Sequence, residues 1–301
     1  MSKIKFDNRV VVITGAGSGL GKCYALEFAK RGAKVVVNDP GGALDGSGQN
    51  AAAADLVVKE IIDAGGIAVA NHDSVASRQG GENIVKTALD QFGTVDVLVN
   101  NAGIIRDKSI LKITEDDWDA VIAVHLKGAF CVTQPAFAVM KEKGYGRIVN
   151  TSSGAGLYGN FGQCNYGSAK MALVGLMNSI FVEGAKYNIS CNCIAPIAAS
   201  RMTENLMPQE VLEKLKPEFI APLVLYLCSE QNKDNKMIFN CAGGWFSRTE
   251  ILCSSGMVLG DGKREILPEE IMEHWDTISG LENTKPLSSL MESFTYLSGI
   301  M

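Results

Sequence analysis

A tyrosine and a lysine four residues apart form the most chemically suggestive pair in this sequence. Tyr166 and Lys170 bound the run Y-G-S-A-K, and residues at i and i+4 of a helix share a face, so both can reach one ligand. An unperturbed tyrosine loses its proton only near pH ~10, so it acts as a base near neutrality only beside positive charge. We interpret Tyr166 as a general base and Lys170 as the cation beside it.

A serine upstream completes a candidate proton-transfer site. Ser153 follows a strand-like run that ends in T-S-S. Its hydroxyl can orient a substrate oxygen while Tyr166 removes the proton and a hydride leaves the same carbon. The three side chains predict a dehydrogenase acting on a secondary alcohol. The competing interpretation is that Tyr166 and Lys170 are the polar fringe of an amphipathic helix.

A glycine-rich run follows the first strand-like segment and leads into a helical pattern. It reads T-G-A-G-S-G-L-G at positions 14–21. Glycines let the backbone turn tightly and approach a phosphate, and a helix N-terminus offers free N–H groups to a dinucleotide pyrophosphate. The predicted cofactor contacts in this run are Gly15, Ser18, Gly19, Leu20 and Gly21.

An aspartate at the end of the second strand predicts the type of cofactor. Asp39 lies roughly twenty residues past the glycines, where a carboxylate accepts hydrogen bonds from the adenosine ribose. Its charge would repel a 2′-phosphate, which favours NAD over NADP. An aspartate that simply opens the turn at Pro40, Gly41 and Gly42 is the alternative.

Polar and small residues after the next two strands extend the predicted cofactor site. A solvated turn competes with adenine contact after the third strand, and bracing of strand ends competes with cofactor contact after the fourth. The residues predicted here are Asp73 and Ser74 after the third strand, and Asn101, Ala102 and Gly103 after the fourth.

Short β-branched runs alternate with helical patterns along most of the chain. Because the runs are apolar throughout, they predict a doubly wound Rossmann-type α/β fold with a parallel sheet of about seven strands and helices on both faces. The predicted strands are 10–14, 33–38, 68–71, 95–100, 146–151, 190–194 and 237–241. The predicted helices are 21–31, 51–64, 80–92, 117–143, 166–186 and 219–228. Ligands bind such sheets at the carboxyl ends of the strands, where the candidate residues fall.

The alternation stops near Ser247, which predicts a Rossmann-fold domain at 1–246 and a C-terminal appendage at 247–301. The appendage has a helix start at Leu267-Pro268 and an aromatic residue at Trp275. We expect it to pack at a dimer interface and to help wall the substrate site. The segment from Met202 to Leu215 follows the sixth strand, where this architecture predicts a mobile lid.

Composition gives no support for a nucleic acid, a membrane surface or a metal ion as a partner. With 28 basic and 33 acidic residues the net charge is -5, without long like-charge runs, which does not favour nucleic-acid or membrane-surface binding. The eight cysteines include no C-x-x-C pair, which favours reduced thiols and disfavours a metal site. We expect no N-terminal targeting peptide and no bilayer-spanning stretch, and the last residues are not an S-K-L peroxisomal address.

Together these motifs resemble the short-chain dehydrogenase/reductase superfamily. The glycine run, N-N-A-G at 100–103, Ser153, Tyr166 and Lys170 occur in the typical order. Longer runs resemble the (3R)-hydroxyacyl-CoA dehydrogenase unit of peroxisomal multifunctional enzyme type 2. These runs are N-N-A-G-I-I-R-D-K at 100–108, V-H-L-K-G at 124–128, L-Y-G-N-F-G-Q-C-N-Y-G-S-A-K at 157–170 and A-P-I-A-A-S-R-M-T-E at 195–204.

The resemblance implies NAD-linked oxidation of (3R)-hydroxyacyl-CoA to 3-oxoacyl-CoA in fatty-acid β-oxidation by a homodimer. It implies a peroxisomal location, with the cytoplasm as the alternative. It adds Tyr166, Lys170 and Pro196 to the cofactor contacts. Three departures stand out: His125 replaces the asparagine of many members, Ile197 replaces a common glycine, and the sequence ends after the dehydrogenase unit. Family members usually continue into a hydratase and sometimes a sterol-carrier domain, so a stand-alone enzyme, a paralogue and an excised domain all stay open.

An acyl-CoA substrate predicts an apolar tunnel and a basic rim. Ordinary packing and solvation are the competing interpretations of each candidate. The candidates are Leu157, Phe161, Met202 and Leu206 for the tunnel, and Arg106, Lys108 and Arg201 for the rim. Two other functions stay open: the same chemistry on a steroid alcohol or an acyl-carrier-protein substrate, and a non-catalytic nucleotide-binding protein.

Overall fold

Strands and helices alternate along most of the chain, as the sequence predicts. A computed structural model describes residues 3–48, 50–199, 208–282 and 284–300. Its main strands are β1 Val10–Thr14, β2 Lys34–Asn38, β3 Ile67–Asn71, β4 Val97–Asn100, β5 Gly146–Thr151, β6 Ile189–Ile197, β7 Ile238–Ala242 and β8 Trp245–Thr249. The helices among them are α1 Gly19–Lys30, α2 Ala52–Asp63, α3 Arg78–Phe92, α4 Glu115–Ile122, α5 Gly128–Lys143, α6 Gly154–Tyr158, α7 Cys164–Gly184, α8 Gln209–Leu212 and α9 Ala221–Cys228.

The strands form one sheet in the order β3-β2-β1-β4-β5-β6-β7-β8. All pairings from β3 to β7 are parallel, which confirms the predicted doubly wound Rossmann-type fold. The order reverses between β1 and β4, so the crevice for ligands lies at the carboxyl end of β1. The eighth strand, β8, was not predicted. It returns beside β7 after Gly243 and Gly244, whose positive φ angles allow a tight turn.

The sheet is covered on both faces because successive side chains of a strand point to opposite sides. Val11 and Ile13 of β1 join the core under α1, α2 and α9. Val10 and Val12 join the core under α3, α5 and α7. Since β1 is buried along its whole length, it is apolar throughout rather than alternating, which is the pattern that predicts a central parallel strand.

The helix predicted at 117–143 begins earlier and is interrupted. Thr114 caps α4 in a capping box with Asp117, so the helix starts at Glu115. Residues Ala123–Lys127 form a π-helical turn between α4 and α5. Such bulges are frequent at functional sites, and this one carries His125.

This same helical run bears on the expectation that the chain has no bilayer-spanning stretch. The helical run Glu115–Lys143, made of α4, the π-helical turn and α5, is long and apolar enough to cross a membrane by length and composition. Its segments pack against α3 and α7. We therefore interpret it as a core helix of the α/β fold.

The chain divides into two units, Met1–Arg248 and Thr249–Met301. The predicted boundary lay between residues 246 and 247, inside what the structure describes as β8. Within the second unit, β9 pairs antiparallel with β10, and a helix begins at Pro268 as the sequence predicts. The elements of this unit are β9 Leu252–Cys253, α10 Pro268–Glu273, α11 Trp275–Ser279, β10 Lys285–Pro286 and α12 Leu290–Ile300.

Candidate active site

The glycine-rich run forms a tight loop at the carboxyl end of β1. Gly15 and Gly19 have φ angles of 64° and 53°, which favour glycine. A Cβ at Gly15 would lie 2.7 Å from Ala102 Cα, and one at Gly21 would lie 2.3 Å from the Gly15 carbonyl oxygen. The loop leads into α1, whose first N–H groups, those of Gly19 and its neighbours Leu20 and Gly21, lack intrahelical partners.

Asp39 lies beside this loop. Its Oδ2 accepts a hydrogen bond from the Gly17 N–H at 2.8 Å, and its Oδ1 accepts one from the Gly41 N–H at 2.7 Å. The carboxylate therefore shapes both the glycine loop and its own turn. These contacts fit the interpretation of Asp39 as a residue that opens a turn. They also place its carboxylate beside the predicted ribose site.

Asp73 and Ser74 follow β3 in a hydrogen-bonded turn. Asp73 Oδ2 accepts from Asn71 Nδ2 and Oδ1 accepts from Asn83 Nδ2, each at 2.9 Å. Ser74 Oγ accepts from the Ala76 N–H at 3.3 Å. These contacts fix the turn, and adenine contact by Asp73 and Ser74 stays a prediction.

Asn101 braces the glycine loop. Its Nδ2 donates to the carbonyl oxygens of Thr14 and Gly15, each at 3.0 Å. The Thr14 hydroxyl in turn accepts from the N–H groups of Asn101 and Ala102, each at 3.1 Å. Of the two interpretations of Asn101, the described contacts support bracing, and Thr14 is a brace that the sequence analysis did not single out.

Gly103 has a steric explanation. A Cβ at this position would lie 2.4 Å from Cε1 of His125, so no other residue fits without moving that ring. Pro196, the other predicted contact at this edge, lies near the end of β6 opposite Cys241. Ile197 ends the strand with 43% of its surface exposed.

Ser153, just after β5, comes together with Tyr166 and Lys170 in the first two turns of α7. The Ser153 side chain lies close enough to the Tyr166 phenol to favour its ionised form. Lys170 Nζ lies 5.5 Å from the centroid of the Tyr166 ring and donates to the Thr151 carbonyl oxygen at 2.6 Å. The structure thus places a hydroxyl, a phenol and an amine in one cluster, as the sequence predicts.

The protein alone does not make the phenol acidic. Burial raises the pKa of Tyr166, and the neighbouring Ser153 side chain only partly offsets this. Burial also lowers the pKa of Lys170 to about 7, which weakens the positive charge beside the phenol at neutral pH. A further positive charge is therefore needed before Tyr166 can act as a base near neutrality.

His125 occupies the π-helical turn behind Tyr166. Its Nε2 lies 2.8 Å from the carbonyl oxygen of Ile104 and 3.0 Å from the N–H of the same residue. Burial and the neighbouring Lys170 lower the pKa of the imidazole to about 3, so the ring is neutral at physiological pH. The ring lies between the Ile104 backbone and the Tyr166 phenol, so we interpret its role as packing rather than acid–base catalysis.

Asn165 is a positioning residue that the sequence analysis missed. Its Nδ2 donates to the carbonyl oxygens of Arg106 and Asp117 at 3.1 and 3.3 Å, and its Oδ1 accepts from the Tyr166 N–H at 2.8 Å. The side chain is fully buried. A polar residue directly before the candidate base, in the first turn of α7, was the available signal.

The predicted substrate residues have mixed outcomes. Leu157 packs partly against the core, whereas Phe161 is 90% exposed. Lys108 pairs with Asp117 at 2.6 Å, and Arg106 donates to backbone carbonyls, so neither is a bare cation. The remaining candidates, Arg201, Met202 and Leu206, and the first part of the predicted lid lie outside the described residues.

Other features take no part in this cluster. A cavity of about 590 Å³ lies near the amino ends of β1, β2 and β3, lined by residues that include Lys5, Arg31 and Gly66. All eight cysteines are free thiols. In the described part of the chain, no group of three or more metal-ligating side chains occurs.

Comparison with known proteins adds independent information. The profile of the short chain dehydrogenase family matches residues 9–211. Peroxisomal multifunctional enzyme A of Dictyostelium discoideum is 53% identical over 298 residues, covering 99% of this chain and 65% of that protein. The chain spans 65% or less of the length of the peroxisomal multifunctional relatives it matches.

Two solved structures are similar in fold. The full-length peroxisomal multifunctional enzyme type 2 from Drosophila melanogaster superposes with a TM-score of 0.84 at 41% identity, covering 99% of this chain and 50% of that one. A 7α-hydroxysteroid dehydrogenase complexed with NADH and 7-oxo glycochenodeoxycholic acid superposes with a TM-score of 0.71 at 30% identity, covering 80% of this chain and 95% of that one.

Proposed function

The chain belongs to the short-chain dehydrogenase family, and from this premise we propose that it oxidises the 3-hydroxyl of a (3R)-hydroxyacyl-CoA with NAD⁺ as hydride acceptor. One observation carries the proposal: Ser153, Tyr166 and Lys170 cluster at the sheet edge that holds the glycine loop. The similarity over nearly the whole chain to peroxisomal multifunctional enzymes, and to a peroxisomal hydratase-dehydrogenase-epimerase of Saccharomyces cerevisiae, supports the choice of substrate.

The residues at the crevice fit a dinucleotide. A Cβ at Gly15 or Gly21 would overlap neighbouring backbone, and the closely packed loop presents the N-terminus of α1 to a pyrophosphate. Asp39 adds a negative charge that suits ribose hydroxyls and opposes a 2′-phosphate. We therefore assign the pyrophosphate to the loop of Gly15 to Gly21, the adenosine ribose to Asp39, and the nicotinamide ribose to Tyr166 and Lys170.

In the proposed reaction the protein's own side chains bind the substrate hydroxyl oxygen and remove its proton. The Ser153 hydroxyl hydrogen bonds to the substrate oxygen, and Tyr166, in its phenolate form, accepts the proton of the substrate hydroxyl. A bound NAD⁺ would supply the acceptor for the hydride of the same carbon and positive charge near the phenol. Lys170, fixed by the Thr151 carbonyl, adds positive charge on the other side while it is protonated.

The names of the relatives support a proposal about the cellular setting of the enzyme. We propose that it acts in fatty-acid β-oxidation in the peroxisome and that it forms a homodimer. We also propose that the unit Thr249–Met301 packs at the dimer interface and helps wall the substrate site. A chain ending at Arg248 should then lose turnover on acyl-CoA substrates, while full turnover of the shortened chain would argue against that role.

The decisive experiment compares two enantiomers. NADH formation should be rapid with (3R)-hydroxyacyl-CoA and absent with (3S)-hydroxyacyl-CoA. Tyr166→Phe is the matched control, because it removes only the hydroxyl; its rate should fall by about 10²- to 10⁴-fold. Activity confined to a steroid alcohol, which the similarity to a hydroxysteroid dehydrogenase makes the second candidate, would reject the acyl-CoA substrate and keep the chemistry.

A further inference from the structure

A small cavity lies behind the carboxyl ends of β1 and β4, next to His125. Its volume is about 10 Å³. Two of the residues around it carry a buried polar atom without a hydrogen-bond partner among the described residues, Nδ1 of His125 and Oδ1 of Asn100. The lining residues are Thr14, Val75, Asn100, Ala102, Val124, His125, Ala129 and Leu173.

Neither atom can be satisfied by turning its side chain. Asn100 Nδ2 donates to Thr133 Oγ1 and to Asn150 Oδ1, each at 2.9 Å, so an amide flip would break both bonds. His125 uses its other ring nitrogen on the backbone of Ile104. Buried polar atoms in native proteins are nearly always paired, with ordered water where protein groups do not reach.

We propose that one water molecule binds in this cavity and bridges Asn100 Oδ1 to His125 Nδ1. A cavity of roughly 10–15 Å³ is large enough to hold one water. The water donates one proton to Asn100 Oδ1 and serves Nδ1 as donor or acceptor, according to the imidazole tautomer. Asn100 thereby becomes a positioning residue, which acts through the water on the ring that backs Tyr166.

The first test is a crystal structure at high resolution. A water peak within about 2.6–3.2 Å of both atoms is expected. A cavity without density, or a direct contact between Asn100 and His125, would overturn the proposal.

The second test displaces the water without touching either polar group. Ala129→Val adds volume at the cavity wall, and Ala136→Val is the control because Ala136 is buried in the same helix but does not line the cavity. Both variants should lose thermal stability from overpacking. Only Ala129→Val should shift the ¹⁵N resonances of the His125 ring. Unchanged His125 resonances in Ala129→Val would overturn the positioning role.

A second inference stands on different contacts, those of residues 43–47, which we call the strap. The Leu44 carbonyl oxygen accepts from the Ile105 N–H at 2.9 Å, and Arg106 Nε donates to the Asp45 carbonyl oxygen at 2.9 Å. Gly46 packs against Ile104, since a Cβ at Gly46 would lie 3.2 Å from Ile104 Cδ1. The strap is therefore bound to the segment that follows β4.

These contacts cross the crevice. The strap follows β2, and its partner segment follows β4, while β1 lies between those two strands. The two strands are about 10 Å apart, since neighbouring strands are spaced by about 4.8 Å. Hydrogen bonds between their loops therefore span the carboxyl end of β1, where the glycine loop lies.

We infer that the strap closes over the bound dinucleotide and must open for cofactor exchange, an inference that rests on the proposed NAD site. Arg106 holds the strap in place, because its guanidinium donates to the Asp45 carbonyl oxygen on the strap. The same guanidinium donates to the Asp116 carbonyl oxygen at 3.4 Å, in the chain that follows β4. Removing its guanidinium frees the strap without changing any residue of the catalytic cluster.

The test compares Arg106→Ala with Lys112→Ala, which removes the same charge from an exposed site in the same loop. NADH dissociation, followed by stopped-flow fluorescence, should be roughly fivefold faster in Arg106→Ala and unchanged in Lys112→Ala. In cofactor-free protein, the Ile105 amide should exchange its hydrogen faster in Arg106→Ala. Wild-type protein that does not bind NADH would overturn the proposed function. Equal NADH release from wild type and Arg106→Ala would overturn the strap alone.

Discussion

The ring of His125 meets the ring of Tyr166 edge to face, with centroids 5.2 Å apart and planes at 87°. This contact puts an aromatic spacer where many relatives of the superfamily have asparagine. Burial and the neighbouring Lys170 lower the pKa of the imidazole to about 3, so the ring is neutral at physiological pH. The position is therefore structural: His125 sets the distance between the Ile104 backbone and the candidate base.

Two substitutions separate the ring of His125 from its nitrogens. His125→Phe keeps an aromatic edge but leaves the Ile104 backbone unpaired, so we expect a loss of about 1–3 kcal/mol in the free energy of unfolding, measured with urea. His125→Asn keeps a hydrogen-bonding group and loses the ring contact. With a pKa of about 3, His125 does not titrate in the working range, so His125→Asn should lower kcat and keep the shape of the pH profile. Loss of an ionisation near pH ~6–7 would contradict this.

Tyr166 should ionise late in the protein without cofactor. Burial raises the pKa of this phenol, so ultraviolet titration should show no phenolate from Tyr166 below pH ~10. Saturation with NAD⁺ adds positive charge nearby and should bring the ionisation to lower pH. The Tyr166→Phe protein provides the baseline to subtract. Phenolate from Tyr166 near neutrality in cofactor-free protein would show that the chain itself suffices.

The sequence predicts best those strands whose side chains are buried on both faces of the sheet. The strand Val10–Thr14 forms with the predicted bounds because it is apolar and buried on both faces. The strand Trp245–Thr249 carries mixed polar and apolar residues and is largely exposed, so its pattern did not stand out. The π-helical turn at Ala123–Lys127 continues the helical periodicity and leaves no signal.

Prediction of the site was limited by contacts between distant parts of the chain. The spacing of Tyr166 and Lys170 predicts their shared position because one helix carries both. The use of Asn101 as a brace depends on the carbonyls of Thr14 and Gly15, which only the fold brings near. The depressed pKa of Lys170 likewise depends on burial, which spacing along a helix does not reveal.

Buried Lys170 should lower stability at acidic and neutral pH. Its folded-state pKa of about 7 lies below the unfolded value of 10.5, so between these values the unfolded chain binds a proton that the folded chain has released. Stability therefore rises with pH across this window, and the cost is full below it, at most about 5 kcal/mol. Lys170→Met should be more stable relative to wild type at about pH 6 than at about pH 10, measured by urea unfolding.

The matched control is Lys112→Met, which replaces an exposed lysine. Its stability relative to wild type should not change with pH over the same range, because an exposed ammonium is equally solvated in both states. A pH-independent difference for Lys170→Met would contradict the depressed pKa.

Asp39 should decide between NAD and NADP. Asp39→Asn keeps an oxygen for the Gly41 N–H, which the carboxylate now binds, and removes the charge that opposes a 2′-phosphate. The ratio of kcat/KM for NADP over NAD should rise at least about tenfold, which corresponds to about 1.4 kcal/mol. Asp63→Asn, at the exposed end of α2, is the control and should leave the ratio unchanged. If Asp39→Asn weakens NAD binding without any gain for NADP, the carboxylate serves only to hold the glycine loop and its own turn.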